Sequence, residues 1–209
     1  MQIRKEEKYR TLKSKKSMKG RYVFTAEAVS QIINETISIF YADNIYNSAS
    51  TFSIDDIGRK QFENSIDLIS VPYEGVDFDS DGEQCSIKYI INNGKVTNVF
   101  ANVLFSKLCN NIAAGNANLL DRYSIGHQRL IFNAQKCICC EFEGVVNNIS
   151  SISCYDGKII GEAVVKYENI FYRSMFEIDV DNFFGNVRSY DSEYKWIKNV
   201  KCSQCIVTI

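Results

Sequence analysis

Histidine is nearly absent, because the 209-residue chain contains only His127, besides one proline and one tryptophan. A zinc site of the H-E-x-x-H type needs two imidazoles one helical turn apart, so this chain cannot build one from its own residues. A Ser-His-Asp triad would have to use His127, and no G-x-S-x-G nucleophile elbow is present. We therefore predict that His127, which precedes a strand-like segment, is a polar surface or strand-edge residue and not a catalytic base.

Long hydrophobic runs are also missing. No stretch of about 18 apolar residues is available to cross a membrane, so we expect no membrane partner. The start of the chain, "MQIRKEEKYRTLKSKKSMKG", lacks the apolar segment of a secretory signal, and we expect a cytoplasmic protein. Neither G-x-x-x-x-G-K-[ST] nor G-x-G-x-x-G occurs, so the sequence does not predict a phosphate-binding loop.

The chain has the composition of a globular domain, with 45% apolar and 12% aromatic residues. A single proline and few glycine or serine runs leave no evident linker. We predict a basic N-terminal lead-in over residues 1–20 and one domain over residues 21–209.

Positive charge is concentrated at the start, where residues 1–21 hold nine Lys or Arg residues against Glu6 and Glu7. Such an arm can bind nucleic acid or another anionic surface. No RNA-binding motif or helix-turn-helix pattern follows it, so we do not expect a nucleic-acid partner. A nucleic-acid binder with a basic tail is the third of our functional hypotheses, after the two developed below.

Two segments have helical periodicity. Thr25 can cap a helix over residues 26–41, whose apolar residues recur at helical spacing. A second helix is predicted over residues 99–112 for the same reason. A short helical segment around residues 171–179 is the third candidate.

Most of the remaining chain alternates like β-strands. Asn93-Gly94 and Asp156-Gly157 are each typical of a two-residue hairpin turn between strands. The pattern predicts an α+β fold, with a mostly antiparallel, barrel-like β-sheet and two packed helices.

Eight cysteines include "CICC" and "CSQC", which supply a possible zinc ligand set of Cys137, Cys139, Cys202 and Cys205. The two thiolates of a C-x-x-C pair, which have two residues between them, can bind one metal ion. All four could meet only if their two strands pair, and ordinary reduced, buried thiols are the other interpretation. An autonomous zinc- or thiol-dependent enzyme is therefore our alternative functional hypothesis.

The segment "VDFDSDGEQ" places Asp77, Asp79 and Asp81 at alternate positions before Gly82, as a calcium loop does. A calcium-binding EF-hand would need a bidentate glutamate at its twelfth position, which here is Lys88. We therefore predict an acidic turn between two strands rather than a calcium site.

The order of these segments resembles the C-terminal domain of the TldD/PmbA family. The likeness extends over most of residues 20–209, and five segments carry it: "GRYVFTAEAVSQII", the acidic turn, "IINNGKVTNVFANVLFSKL", "AGNANL" and "CSQCIVTI". The resemblance implies a β-rich, dimer-forming domain that lacks the family's N-terminal α/β domain. The family threonine and arginine that flank the "GN" pair are replaced here.

In the TldD branch, the resemblance implies a zinc peptidase with an H-E-x-x-x-H motif upstream of the first helix or on it. "AEAVSQIINETISIF" contains no histidine, so the chain is most similar to the non-catalytic PmbA (TldE) branch in truncated form. The resemblance implies no cofactor and no intrinsic activity. It implies a TldD-like metallopeptidase subunit and a peptide as partners, in a homo- or heterodimer. Gly115 and Asn116 then lie near a shared peptide groove, or else form a helix C-cap and turn.

Overall fold

The computed structural model describes residues 13–15, 17–110, 112–118, 124–137 and 141–209. Two 3-10 turns, Ile37–Phe40 and Ile54–Asp56, accompany the regular elements. The helices are α1 (Ala26–Thr36), α2 (Ala42–Tyr46), α3 (Val103–Leu108) and α4 (Val180–Asn186). The strands are β1 (Lys13–Lys15), β2 (Arg21–Phe24), β3 (Ile66–Val71), β4 (Lys88–Asn92), β5 (Lys95–Val96), β6 (Arg129–Ala134), β7 (Gly144–Tyr155), β8 (Lys158–Tyr167), β9 (Ile170–Asp179), β10 (Arg188–Ser189), β11 (Lys195–Ile197), β12 (Val200–Cys202) and β13 (Cys205–Thr208).

The strands form two sheets, one of seven strands in the order β1-β9-β8-β7-β2-β13-β10 and one of six in the order β11-β12-β6-β3-β4-β5. The α+β class and the mostly antiparallel pairing are confirmed, although β1 with β9, β2 with β7 and β6 with β12 pair in parallel. The barrel-like expectation is wrong, because each described sheet ends in edge strands and stays open. Two residues, Ser203 and Gln204, carry the chain from β12 in one sheet to β13 in the other.

Helix α1 holds the two sheets together, since it contacts β2 and β7 of the larger sheet and β11 and β12 of the smaller one. Its sequence explains its start, where the Thr25 hydroxyl accepts from the Ala28 N–H at 3.4 Å. Its apolar face is fully buried and carries Val29, Ile32 and Ile33. The predicted helix ends early because the chain tightens into a 3-10 turn at Ile37.

Three helix predictions need correction. The described residues contain four α-helices rather than two. Residues 171–179 belong to β9, where Ser174, Phe176 and Ile178 are buried at alternate positions, as a strand with one face on the core requires. The predicted helix over residues 99–112 shrinks to α3, because Asn102 caps it and Phe100 instead pairs with Tyr41 in an isolated bridge.

Both predicted hairpin turns are confirmed. Asn93 and Gly94 have φ of 49° and 79°, and Asp156 and Gly157 have φ of 49° and 71°, the two consecutive positive values of a type I′ turn. They connect β4 to β5 and β7 to β8.

Described structure is also present before residue 21. Strand β1 pairs with β9, and Met18, which is 2% exposed, donates its N–H to the Met175 carbonyl at 3.0 Å. Residues 1–12 and 16, which hold much of the basic lead-in, lie outside the described residues. No described helix is long and apolar enough to span a bilayer.

A glycine pair tests how tightly the larger sheet is packed. A Cβ added at Gly161 would lie 2.6 Å from the ring of its buried cross-strand partner Phe176 and 2.8 Å from the Ser151 carbonyl, whereas one added at Gly185 in α4 would meet nothing within 4 Å. We expect Gly161→Ala to lower the free energy of unfolding by about 1–3 kcal/mol through overpacking. Gly185→Ala is the control and should be neutral or stabilising by up to about 1 kcal/mol. Denaturant unfolding of both variants measures this, and equal effects would contradict the packing assigned to β8 and β9.

Candidate functional site

A groove of about 510 Å³ lies along the solvent-facing side of α1. One wall is β7, with Asn148 and Ile152, and the other is the turn between β11 and β12, with Ile197, Lys198 and Asn199. The helix itself contributes Glu27, Ser30, Gln31, Asn34 and Glu35. The lining is therefore rich in amides and hydroxyls, with two carboxylates and one ammonium group at its sides.

The polar residues of α1 in this groove are bonded to the sheets on either side. Gln31 donates its Nε2 to the Ile149 carbonyl at 3.0 Å and accepts the Ile149 N–H on Oε1 at 3.2 Å. Ser30 donates its hydroxyl to the Ile197 carbonyl at 3.3 Å. These bonds tie the helix to both sheets, so the amide and hydroxyl groups have a structural use here.

His127 lies close to this groove in a chain of hydrogen bonds. Its Nδ1 is 2.7 Å from the Tyr41 hydroxyl, and its Nε2 is 2.9 Å from the Asn199 side-chain amide. The same Asn199 amide donates to Asn34 Oδ1 at 2.9 Å. An amide that donates to Nε2 requires that nitrogen to be unprotonated, so the neutral ring carries its proton on Nδ1.

Burial lowers the pKa of His127 and raises the pKa of Tyr41 to about 12. Both shifts keep the pair uncharged near neutral pH. Of the two predicted positions, a polar surface or a strand edge, the second is closer to what is found, because His127 lies two residues before β6 and is partly buried. The sequence did not indicate its bonding partners. His127 is the chain's one histidine and does not lie on α1, so α1 carries no imidazole.

The chemistry of His127 predicts a loss of stability in mild acid. Because the folded-state pKa is below the usual 6.5, the unfolded chain takes up a proton first as the pH falls. The contribution of His127 is thus complete above pH 6.5 and is lost as the pH falls below it. We expect the free energy of unfolding to fall less steeply between about pH 6.5 and 5 in His127→Gln than in the parent chain.

The single imidazole resonance in the NMR spectrum reports the titration directly. A His127 pKa at or above 6.5, or identical pH slopes for parent and variant, would contradict the buried, neutral assignment.

Gly115 and Asn116 lie beside the acidic turn. Gly115 has φ of 95°, and a Cβ there would lie 2.7 Å from the Gln84 carbonyl. Asn116 is 3% exposed, and its Oδ1 accepts from Lys88 Nζ at 2.5 Å. Helix α3 ends at Leu108 with Cys109 as its C-cap, so Gly115 does not cap that helix. Asn116 and Ala117 also line a second cavity, adjoining His127.

The acidic turn and the glycine-asparagine loop are joined by two buried charged side chains. Asp79 accepts the N–H groups of Asp81, Glu83 and Ala117 at 2.8–3.0 Å. Lys88 donates to the carbonyls of Ala113 and Ala114 as well as to Asn116. Burial lowers the pKa of Lys88 to about 8, which the negative charge of Asp79 opposes.

The Asp-rich stretch is thus a turn between β3 and β4, as predicted. Asp79 is occupied by backbone N–H groups, and Asp81 accepts the Val103 N–H at the start of α3 at 2.9 Å. Within the described ranges, no three His, Cys, Asp or Glu side chains converge as metal ligands.

Asp79 and Asp77 provide a matched pair for this turn, because one is 6% exposed and bonded while the other is exposed. Asp79→Ala leaves three backbone N–H groups without their acceptor, and we expect it to lower the free energy of unfolding by about 2–4 kcal/mol. Asp77→Ala should change it by less than about 0.5 kcal/mol. Thermal and denaturant unfolding give both values, and similar effects of the two substitutions would show that Asp79 does not hold the turn.

The cysteines of the proposed zinc set are in different surroundings. Cys202 lies on β12 of the smaller sheet and Cys205 on β13 of the larger, and both are buried. The Cys137 N–H donates to the carbonyl of Ser189 on β10, and Ser189 pairs on its other side with Cys205. Strand β10 therefore lies between Cys137 and Cys205. Cys139 lies outside the described residues.

Burial raises the pKa of the Cys202 thiol to about 12 and also raises the pKa of Cys205. Cys202 donates to the Ala26 carbonyl and Cys205 to the Ser203 carbonyl. The zinc-thiolate hypothesis stays a prediction, which a metal assay on untagged protein can test.

Comparison with known proteins agrees with the resemblance in the sequence. A family model described as the PmbA/TldA metallopeptidase C-terminal domain matches residues 17–153. No curated protein matches the chain.

Solved structures share the fold at low sequence identity. TldE from Thermococcus kodakarensis is similar with a TM-score of 0.75 and 14% identity, over 93% of this chain and 50% of that one. A putative modulator of DNA gyrase from Thermotoga maritima gives 0.72 and 13%, over 93% and 50%. A second such modulator, from Bacteroides thetaiotaomicron, gives 0.73 and 14%, over 99% and 50%. The chain therefore spans half the length of each of these proteins.

Proposed function

Since the chain belongs to the PmbA/TldA metallopeptidase C-terminal domain family, we propose that it is a PmbA-like subunit without a zinc centre of its own. It pairs with a TldD-like zinc metallopeptidase subunit and contributes a surface that holds the peptide. The cleavage step belongs to the partner, and the role of this chain is to bind and orient the substrate.

The observation that carries this proposal is that the polar side chains of α1 are engaged in hydrogen bonds to neighbouring elements. The resemblance implies two histidines upstream of this helix or on it in the family's zinc peptidases, and here Ser30, Gln31 and Asn34 line the groove. Gln31 holds the Ile149 backbone in two hydrogen bonds, and Asn34 holds Asn199. The chain's one imidazole is bonded on both ring nitrogens at a separate position. A two-histidine zinc site would need residues that this helix does not contain.

The surroundings of the groove support peptide binding. Strand β11 forms one edge of the described six-stranded sheet, and Ile197 at its end lines the groove. An extended peptide can add to such an edge through main-chain hydrogen bonds. The amides of Asn148 and Asn199 offer further donors and acceptors along its path. Glu27 and Glu35 line the groove together with Lys198, so its charged residues leave a small negative excess.

The fold supports the choice of partner only through the family. Similarity to TldE extends over nearly the whole chain, and TldE is the name of the branch that the missing histidines indicate. The pairing with a TldD-like subunit, and the peptide itself, are therefore parts of the proposal.

Co-expression with a TldD-like subunit tests the proposal. We expect the two chains to co-purify as one complex and the complex to cleave an unfolded peptide faster than the TldD-like subunit alone. Absence of a complex, together with no gain in cleavage, would overturn the proposal.

Two tryptophan substitutions on β7 test the groove in that complex. Asn148 lies in the groove, and exposed Ser153 on the same strand does not line it. We expect Asn148→Trp to reduce kcat/KM for the peptide by about tenfold, equivalent to about 1.4 kcal/mol, because the indole fills the groove. Ser153→Trp is the control and should leave kcat/KM within about twofold. Equal effects of the two substitutions would place the peptide elsewhere.

A further inference from the structure

The chain's one tryptophan, Trp196, lies on the edge strand β11 and faces away from α1. Cys202 on β12 bonds to the Ala26 carbonyl of α1, so Lys201 before it points to the opposite face of the sheet. Trp196 pairs with Lys201 and therefore shares this outer face, where it is 43% exposed. The smaller sheet thus presents an aromatic ring at its edge.

Arg129 of β6 brings a positive charge to this ring. Its guanidinium carbon lies 5.1 Å from the centroid of the Trp196 ring, and one terminal nitrogen donates to the Pro72 carbonyl at 3.1 Å. Arg129 and Lys201 are both partly buried. The ion pairs of the described residues use other basic side chains, so neither of these two has a carboxylate partner there. Partly buried cations are usually paired, and this pair therefore suits an anionic ligand.

The backbone of Trp196 is oriented for strand addition. Leu130 of β6 donates its N–H to the Asn199 carbonyl at 2.7 Å. Alternate residues then bond to the two neighbouring strands, with Lys201 bonded toward β6 and Val200 toward β11. Trp196 lies opposite Lys201, so its N–H and carbonyl point to the edge that no described strand covers. An extended peptide that adds to β11 can exchange both of these hydrogen bonds with Trp196.

A peptide residue in that position directs its side chain to the outer face, which carries the ring and the two cations. Its neighbours direct theirs to the opposite face, on which Ile197 lines the α1 groove. We propose that the position opposite Trp196 selects an acidic side chain, whose carboxylate binds the Arg129 guanidinium and the Lys201 ammonium group. This inference rests on the proposed peptide-binding function and gives it a charge preference at one position.

The surroundings favour a peptide carboxylate over the phosphates of a nucleic acid. The cross-strand row that continues from Lys201 consists of Ile131 and Ile69, which offer no stacking surface for bases. The next exposed aromatic residue in that row, Tyr89, lies four strands away from Trp196. The Arg129 guanidinium also covers part of the indole ring on which a base would stack.

Trp196 reports binding directly, because the chain contains no other tryptophan. Three blocked pentapeptides, Thr-Val-X-Val-Thr with glutamate, glutamine or lysine at X, are titrated into the purified chain while its fluorescence is followed. We expect the glutamate peptide to bind about fivefold tighter than the glutamine peptide, as for a partly exposed ion pair, and the lysine peptide to bind most weakly. A higher salt concentration should reduce this preference.

Three variants locate the preference on the outer face. Arg129→Gln and Lys201→Gln each remove one cation there, and each should reduce the glutamate preference to about twofold or less. Lys195→Gln is the matched control, because Lys195 pairs with Cys202 and so points to the opposite face, and it should keep the parent preference. Thermal unfolding followed by the same fluorescence shows that each variant is folded, and Lys201→Gln decides the matter if Arg129→Gln does not fold.

Equal binding of the glutamate and glutamine peptides to the parent chain would overturn the inference and leave peptide binding itself intact. An equal loss of preference in Lys195→Gln would also overturn it, because the effect would then follow from net charge alone. A fluorescence response to none of the peptides would overturn both the inference and peptide addition at β11. Tighter binding of oligothymidylate than of the glutamate peptide would overturn it by assigning the face to nucleic acid. All four results come from the purified chain, so they are distinct from a failure to form the complex.

Discussion

The hydrogen-bond chain from Tyr41 through His127 and Asn199 to Asn34 is the constraint on which the site depends. It fixes the β11–β12 turn against α1. Asn34 and Asn199 line the groove, and His127 lines the second cavity. Each ring nitrogen of His127 is already bonded in this chain. Recruiting the imidazole as a metal ligand would break one of these bonds and weaken the hold on the turn that lines the groove. The fold therefore uses its one imidazole as a structural connector.

The same principle applies to the acidic turn. Asp79 and Lys88 are residue types that often bind ions or substrates, yet each is buried and satisfied by neighbouring backbone groups. Their bonds hold the acidic turn, the glycine-asparagine loop and the start of α3 together. Gly115 contributes to this assembly by allowing the Gln84 carbonyl to approach where a Cβ would collide. A rigid wall of this kind suits a protein that positions a substrate.

Local patterns predicted the local structure well. The Thr25 cap and the two glycine-containing hairpin turns depend on neighbouring residues, and all three are present. The sequence did not show that the chain changes sheet between Cys202 and Cys205, because this depends on distant pairing of β12 with β6 and of β13 with β2. Residues 171–179 appeared helical in part because a short apolar run fits either period.

The candidate site was less predictable. The missing histidines pointed to α1, but the bonds of Gln31 and Asn34 cross between elements and leave no local signal. Lys88 could have been found, since it shares strand parity with buried Ile90 in "CSIKYII". Asn116 lines the second cavity and not the α1 groove, so the expected place of Gly115 and Asn116 beside a peptide groove stays a prediction.

The most direct measurement of the central claim is peptide hydrolysis by the purified chain in the absence of any partner. The chain is incubated with an unfolded peptide mixture, with and without added zinc and with and without a chelator. The account predicts no cleavage under any of these conditions. Cleavage that the chelator abolishes and zinc restores would contradict it, because the chain would then hold a working metal centre of its own.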